Sequence, residues 1–236
     1  MTETLPLVLV PGLASSSRVY APVIPSLWRL RPVMVANHLR DNSMEAIARR
    51  ILSEAPARFA LAGHSMGGYI AFEIMRQAPE RVARLALLNT SARPDTPEAS
   101  ARRRMQMQMA RDGKLHEVLD MLFPQFVHPS RVTDDALRQL VHDMADDVGA
   151  EGFINNQTAI LARPDSRPGL GTIRCPTLVL TSDQDMLLPN ELSKEIAAGI
   201  PGATLTIIPE CGHMSQPERP QAVAAALSEW LATRQS

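Results

Sequence analysis

Apolar residues along this chain fall into two kinds of run. Short unbroken stretches come first: Leu5-Pro6-Leu7-Val8-Leu9-Val10 is apolar on both faces, as a strand buried between two helical layers must be. Pro11-Gly12 breaks it. Pro32–Ala36, Phe59–Ala62, Leu85–Leu88, Thr177–Thr181 and Thr204–Ile208 read as further strands. Longer runs carry helical spacing. Met44, Ile47, Ala48, Ile51 and Leu52 recur at that period across residues 43–54, and Ser43 is placed to cap the helix. Tyr69–Gln77, Glu191–Ala198 and Pro220–Leu231 read as helices, the last with Pro220 near its first turn. Residues 17–30 could form another, although Pro22 and Pro25 disturb its start. Strands alternating with helices predict an α/β fold with a doubly wound, mostly parallel sheet.

Between about Pro94 and Pro168 the alternation stops. Helical patterns run over residues 101–111, 114–122, 133–145 and 150–162, with no convincing strand. A helical insertion between two sheet strands fits a cap over an active site. The expected division is a core of residues 1–93 and 169–236 carrying a cap of residues 94–168.

Composition narrows the function classes. A chain of 236 residues suits one single-core domain. Lys and Arg number 24 against 25 Asp and Glu, so bulk charge gives no reason to expect nucleic acid or an anionic membrane as partner. No stretch approaches the roughly 20 apolar residues that cross a bilayer. Met1-Thr2-Glu3-Thr4 lacks the basic start of a signal peptide, which points to the cytoplasm. Cys175 and Cys211 form neither a metal-spaced cluster nor a disulfide framework. In a reducing compartment free thiols are expected. No metal and no cofactor are expected.

The chemistry is concentrated in Gly63-His64-Ser65-Met66-Gly67-Gly68, which follows a strand and opens a helix. A nucleophile on so tight a turn needs small neighbours, because a side chain at either flanking glycine would collide with the turn. The turn lifts the Ser65 hydroxyl above the carboxyl edge of the sheet and aims helical N–H groups at a developing oxyanion. A serine hydroxyl is a weak nucleophile and needs a base within hydrogen-bond reach. His213, on a glycine-containing loop just after a strand, is available at the same edge. His38, His116, His128 and His142 lack such a setting, and His64 beside the nucleophile reads as a packing or pocket-shaping residue.

These residues resemble the α/β-hydrolase superfamily. Ala62-Gly63-His64-Ser65-Met66-Gly67-Gly68 looks like its nucleophile elbow, and Val8-Leu9-Val10-Pro11-Gly12 like its first strand and oxyanion loop. Leu178 to Asp185 resembles the strand and acid-bearing turn, and Pro209 to Ser215 the histidine loop. The four motifs stand in the family's order and span most of the chain; the 94–168 insertion is the least matched part. The resemblance implies a triad of Ser65, an acid and His213 in that chain order. Asp183 and Asp185 both lie on the acid turn. The family register of an acid four residues before a proline favours Asp185, set against Pro189, with Ser182 where the family has glycine. The oxyanion hole implied is the backbone N–H of Met66 with that of Leu13. The chain departs from the family at Asn37–Ser43, which lacks the usual glycines.

Two features of the insertion have a sharper and a plainer reading. Met105, Met107 and Met109 could line a pocket adaptably, or be core. Arg102-Arg103-Arg104 could steer an anionic substrate or a carrier protein, or be a solvated helix face. The expected activity is hydrolysis of a carboxylic ester with a small to medium acyl group through an acyl-enzyme. The same triad would also serve a thioesterase, an enol-lactonase, a carbon–carbon bond hydrolase or a perhydrolase, and the same fold a ligand sensor. Substrate identity and oligomeric state are left open.

Overall fold

The computed structural model describes residues 5–232; Met1 to Thr4, read above for the want of a basic signal start, and residues 233–236 lie outside the described residues. Strands β1 (Leu7–Val10), β2 (Val33–Val35), β3 (Phe59–His64), β4 (Val82–Leu88), β5 (Thr177–Ser182) and β6 (Thr204–Ile208) form one sheet. Its order is β2-β1-β3-β4-β5-β6, and every pairing is parallel. Strands β1, β3, β4 and β5 are buried along their whole length because both sheet faces are covered there, whereas edge strand β6 is largely exposed. Leu7, Leu9, Ala60, Ala62, Ala86, Leu88, Leu178 and Leu180 join one core, while the residues between them, such as Val8, Leu61, Leu87 and Val179, join the other.

Helices α1 (Ile24–Trp28) and α9 (Pro220–Ala232) pack on the first face through Leu27, Leu227 and Trp230. Helices α2 (Met44–Glu54), α3 (Met66–Gln77) and α7 (Asn190–Gly199) pack on the second through Ile47, Ile70 and Ile196. Ser43 caps α2, its hydroxyl accepting the Ala46 N–H. Where one helix was expected over 17–30, the chain forms a 3-10 turn at Ser17–Tyr20 and then short α1. Pro22 and Pro25 each remove a backbone donor, so no continuous helix fits there.

The helical insertion between β4 and β5 comprises α4 (Pro97–Arg111), α5 (Leu115–Phe126) and α6 (Asp135–Leu161). The two patterns expected over 133–145 and 150–162 join into α6, with a break at Gly149, whose φ is +67°. A short helix α8 (Ser215–Glu218) follows the histidine loop. No helix among the described residues is long and apolar enough to cross a membrane.

From β1 the chain leaves toward β2 on one side; from β3 it leaves toward β4 on the other. Such a reversal opens a crevice at the carboxyl ends of the two strands, where ligands bind in open α/β sheets. Val10 stands beside Gly63 in the register. Pro11-Gly12 and Ser65 therefore emerge side by side.

Candidate active site

Ser65 has φ +53° and ψ −116°, a backbone state that costs a non-glycine residue energy. The surroundings hold it there. Its N–H donates to the Leu88 carbonyl at 2.9 Å, and its own carbonyl accepts the Thr90 hydroxyl at 2.7 Å and the Gly68 N–H at 2.9 Å. A methyl at Gly63 would run into the Gly67 carbonyl, and one at Gly67 into the carbonyl of Val10. The glycines are thus required by close backbone approach.

His213 and Asp185 are brought together from loops after β6 and β5. His213 Nδ1 lies 2.8 Å from Asp185 Oδ2, with the two residues 3% and 6% exposed. Asp185 Oδ1 accepts the N–H groups of Leu187 and Leu188 at 3.0 and 2.8 Å, and its Oδ2 also accepts Asn89 Nδ2 at 3.0 Å. Burial alone would raise the Asp185 pKa; attraction and hydrogen bonding from His213, with the Leu188 and Asn89 donors, outweigh it and hold the carboxyl below its ordinary value. A carboxylate there fixes the proton of His213 on Nδ1 and leaves Nε2 as the basic nitrogen.

Asp183, the other candidate acid, does not reach His213. It is exposed, yet it is more than a solvated turn residue. Its two oxygens accept the N–H groups of Glu210 and Cys211 at 2.9 and 3.0 Å, bracing the histidine loop. His64 braces the same loop from below: its Nε2–H donates to the His213 carbonyl at 3.0 Å. Burial pushes its pKa down to about 3, so it stays neutral and acts as an anchor.

Leu13, Met66, Ser65 and His213 border one cavity of about 620 Å³, and Asp185 stands behind His213. The Gly12 carbonyl accepts the Ser15 N–H at 3.3 Å and His38 Nε2–H at 3.0 Å. In a trans peptide the C=O and the following N–H point opposite ways, so these bonds set the direction of the Leu13 N–H. His38 is buried, and burial pushes its pKa down to about 4. It stands in the segment that lacks the family's glycines, and α6 holds that segment through Asn156 Nδ2, which donates to the His38 carbonyl at 2.8 Å.

Asn89 and Glu218 were not singled out from sequence. Asn89 ends β4 at φ +45° and links Ser182 Oγ to Asp185 through its amide. Its signal was a polar residue directly after a buried strand. Glu218 is buried and accepts the N–H groups of Gly212 and His128 at 3.0 and 2.8 Å. In sequence it reads as an ordinary helix-start acid.

The methionine stripe divides between its two readings. Met105 lines the cavity, whereas Met107 borders a separate hollow with Arg104, and Met109 packs on the core. At 3.6 residues per turn, positions two apart face nearly opposite ways, so Met105 and Met107 cannot share one wall, while Met109 returns toward the side of Met105. The same rotation splits the arginine run, with Arg102 and Arg103 on the cavity and Arg104 away from it.

The fold has its counterpart in known proteins. A sequence profile of the α/β hydrolase family matches residues 7–226. The chain belongs to that family. Among relatives, a protein of Pseudomonas savastanoi pv. phaseolicola named as a carbamate hydrolase is 26% identical, over 95% of this chain and 93% of that one. A pimeloyl-[acyl-carrier protein] methyl ester esterase of Aromatoleum aromaticum is also 26% identical, over 90% of this chain and 93% of its own. A thermophilic esterase from Thermogutta terrifontis superposes with a TM-score of 0.87 at 29% identity, covering 96% of this chain and 89% of that one. The relatives share a hydrolase scaffold and differ in the bond that their names specify.

Proposed function

We propose that the chain is a carboxylic ester hydrolase that works through an acyl-enzyme on a small to medium acyl substrate. Ser65 Oγ attacks the ester carbonyl carbon while His213 Nε2 takes its proton. The oxyanion is received by the N–H groups of Leu13 and Met66. The alcohol then leaves, carrying the proton back from His213. Water, deprotonated by the same nitrogen, attacks the acyl carbonyl, and the acid departs as Ser65 regains its hydrogen. Asp185 orients His213 and stabilises its cationic form. The helices of residues 94–168 act as a cap on the core of residues 1–93 and 169–236, and their packing sets acyl length.

The observation that carries this reading is the buried 2.8 Å contact of His213 Nδ1 with Asp185 Oδ2 at the cavity where Ser65 stands in its strained conformation. A cavity of about 620 Å³ suits a small to medium substrate. The names of the esterase relatives point the same way. Sustained turnover of a chromogenic ester tests the proposal. An enzyme gives many turnovers per chain and loses them in Ser65→Ala; a ligand sensor of the same fold gives a few turnovers at most.

A further inference from the structure

Proposed acyl transfer leaves one end of the cavity unused. Arg93, Arg102, Arg103 and Arg163 line it, and Asp95 is the one carboxylate among the described lining residues. Arg93 is answered by Glu195 at 2.9 Å. Arg103 and Arg163 share Asp95, with contacts of 2.5 and 2.7 Å, and the side chains of Arg163 and Asp95 are each only 7% exposed. One carboxylate cannot neutralise two guanidiniums. A positive charge is therefore left over in a poorly solvated place, where an uncompensated charge is costly.

Donor capacity remains at this end. Arg163 is largely engaged by the carbonyls of Arg93 and Ile160. Arg103 donates through Nη1 to Gln157 at 2.8 Å, while its Nη2 has only a 3.4 Å contact with Asp95. Arg102 has no hydrogen-bond partner among the described residues. The remaining wall is apolar, with Leu119, Leu122, Val141 and Met144, and with Phe126 6.4 Å from the His213 ring. Position relative to the nucleophile follows from α3. Tyr69 is four residues on from Ser65, about 6 Å along the helix axis, and the Arg163 guanidinium lies 4.3 Å over its ring.

We propose that the arginine end is a carboxylate subsite, so that the substrate is an ester bearing a carboxylate remote from its scissile carbonyl. An apolar spacer runs along the leucine and methionine wall, and Arg102 and Arg103 hold the anion, with Arg163 adding its field from behind. A flat carboxylate, with two coplanar oxygens, matches the guanidinium fork. A dianion would be repelled more strongly by Asp95. This inference rests on the ester-hydrolase reading above.

The test compares kcat/KM for monomethyl dicarboxylates, from succinate to suberate, with methyl esters of the matching monocarboxylates. Acetyl esters of hydroxy acids, paired with acetyl esters of simple alcohols, place the anion on the alcohol side. One anionic series should be preferred at least about tenfold over its neutral partners, as a charged hydrogen bond warrants. Added salt should shrink the preference. Arg102→Gln and Arg103→Gln should each lower it about tenfold, whereas Arg104→Gln, on the far side of α4, leaves it as in wild type. Neutral esters turned over as well as both anionic series would overturn the subsite and leave the hydrolase reading standing. An equal fall in preference in Arg104→Gln would also overturn it. Labelling of Ser65 by a neutral fluorophosphonate separates the two readings. No turnover with no labelling overturns both. Labelling without turnover, and without protection by the half-esters, overturns the subsite alone.

Discussion

The carboxyl edge of the sheet and the helical insertion above it are built on different principles. At the edge, backbone packs against backbone. Gly63 and Gly67 have no room for a methyl, Ser65 is held at positive φ by three hydrogen bonds, and Asp185 accepts four donors. Little can be exchanged there without moving a reacting group. The insertion meets the core largely through side chains: Asp147 with Arg18, Arg163 with the Arg93 carbonyl, and Asn156 with the His38 carbonyl. Such contacts can be replaced one at a time. On the proposed function the chemistry belongs to the edge and the choice of substrate to the insertion, and each half of that proposal can be broken separately.

The largest effect is expected from Ser65→Ala. It should cost about a million-fold in kcat while thermal unfolding stays near wild type, since only a hydroxyl is lost. Activity within tenfold of wild type would remove the edge as the seat of chemistry. Next, Asp185→Asn should lose about ten-thousand-fold in kcat, because an amide stabilises the wrong tautomer of His213. Asp183→Asn removes an acceptor that braces the loop, so it should lower stability by about 1–3 kcal/mol with a far smaller loss of kcat. Comparing kcat and denaturation of the two variants checks this; the opposite ranking would move the acid to Asp183.

Leu122→Ala, on the wall contributed by α5, should act on preference. We expect kcat/KM to shift toward longer acyl chains by about tenfold relative to wild type, the scale of a few methylenes in an apolar pocket. An acyl-length series reads this. A uniform loss at all lengths would mean that the insertion takes part in the chemistry itself.

Much of the edge was legible in sequence because its constraints are local. A strand buried on both faces must be apolar, and an elbow must have glycines at fixed offsets. The residues alone left Asp183 and Asp185 both open; the register to Pro189 that the family resemblance implies favoured Asp185, and the structure puts only Asp185 against His213. What stayed hidden depends on partners far along the chain. Asn89 meets Asp185 across 96 positions and Glu218 meets His128 across 90, so neither has a local pattern. In the insertion the helices were foreseen but their facing was not. Met107 and Arg104 turn away from the cavity because the helical rotation, which no count of like residues reveals, carries them past it.

A separate effect concerns stability and pH. His38 and His64 are pushed down by burial from 6.5 to about 4 and about 3. As pH falls through 6.5, the unfolded chain binds these protons and the folded chain does not. Their contribution is therefore full above the unfolded value and is lost as pH falls toward the folded values. From about pH 6 to 5, above the carboxylate range, two such protons give a slope of up to about 3 kcal/mol per pH unit. Denaturant unfolding at stepped pH measures it, and His38→Gln should halve it. A flat profile would mean that these histidines are not held neutral.

The central claim, that Ser65 carries the acyl group, is tested most directly by trapping that species. Rapid quenching during turnover of a chromogenic ester, followed by peptide mass analysis, should find the acyl mass on the peptide containing Ser65. A chromophore burst approaching one equivalent per chain should accompany it when deacylation is slow. An adduct on another residue, or a burst that persists in Ser65→Ala, would contradict the account.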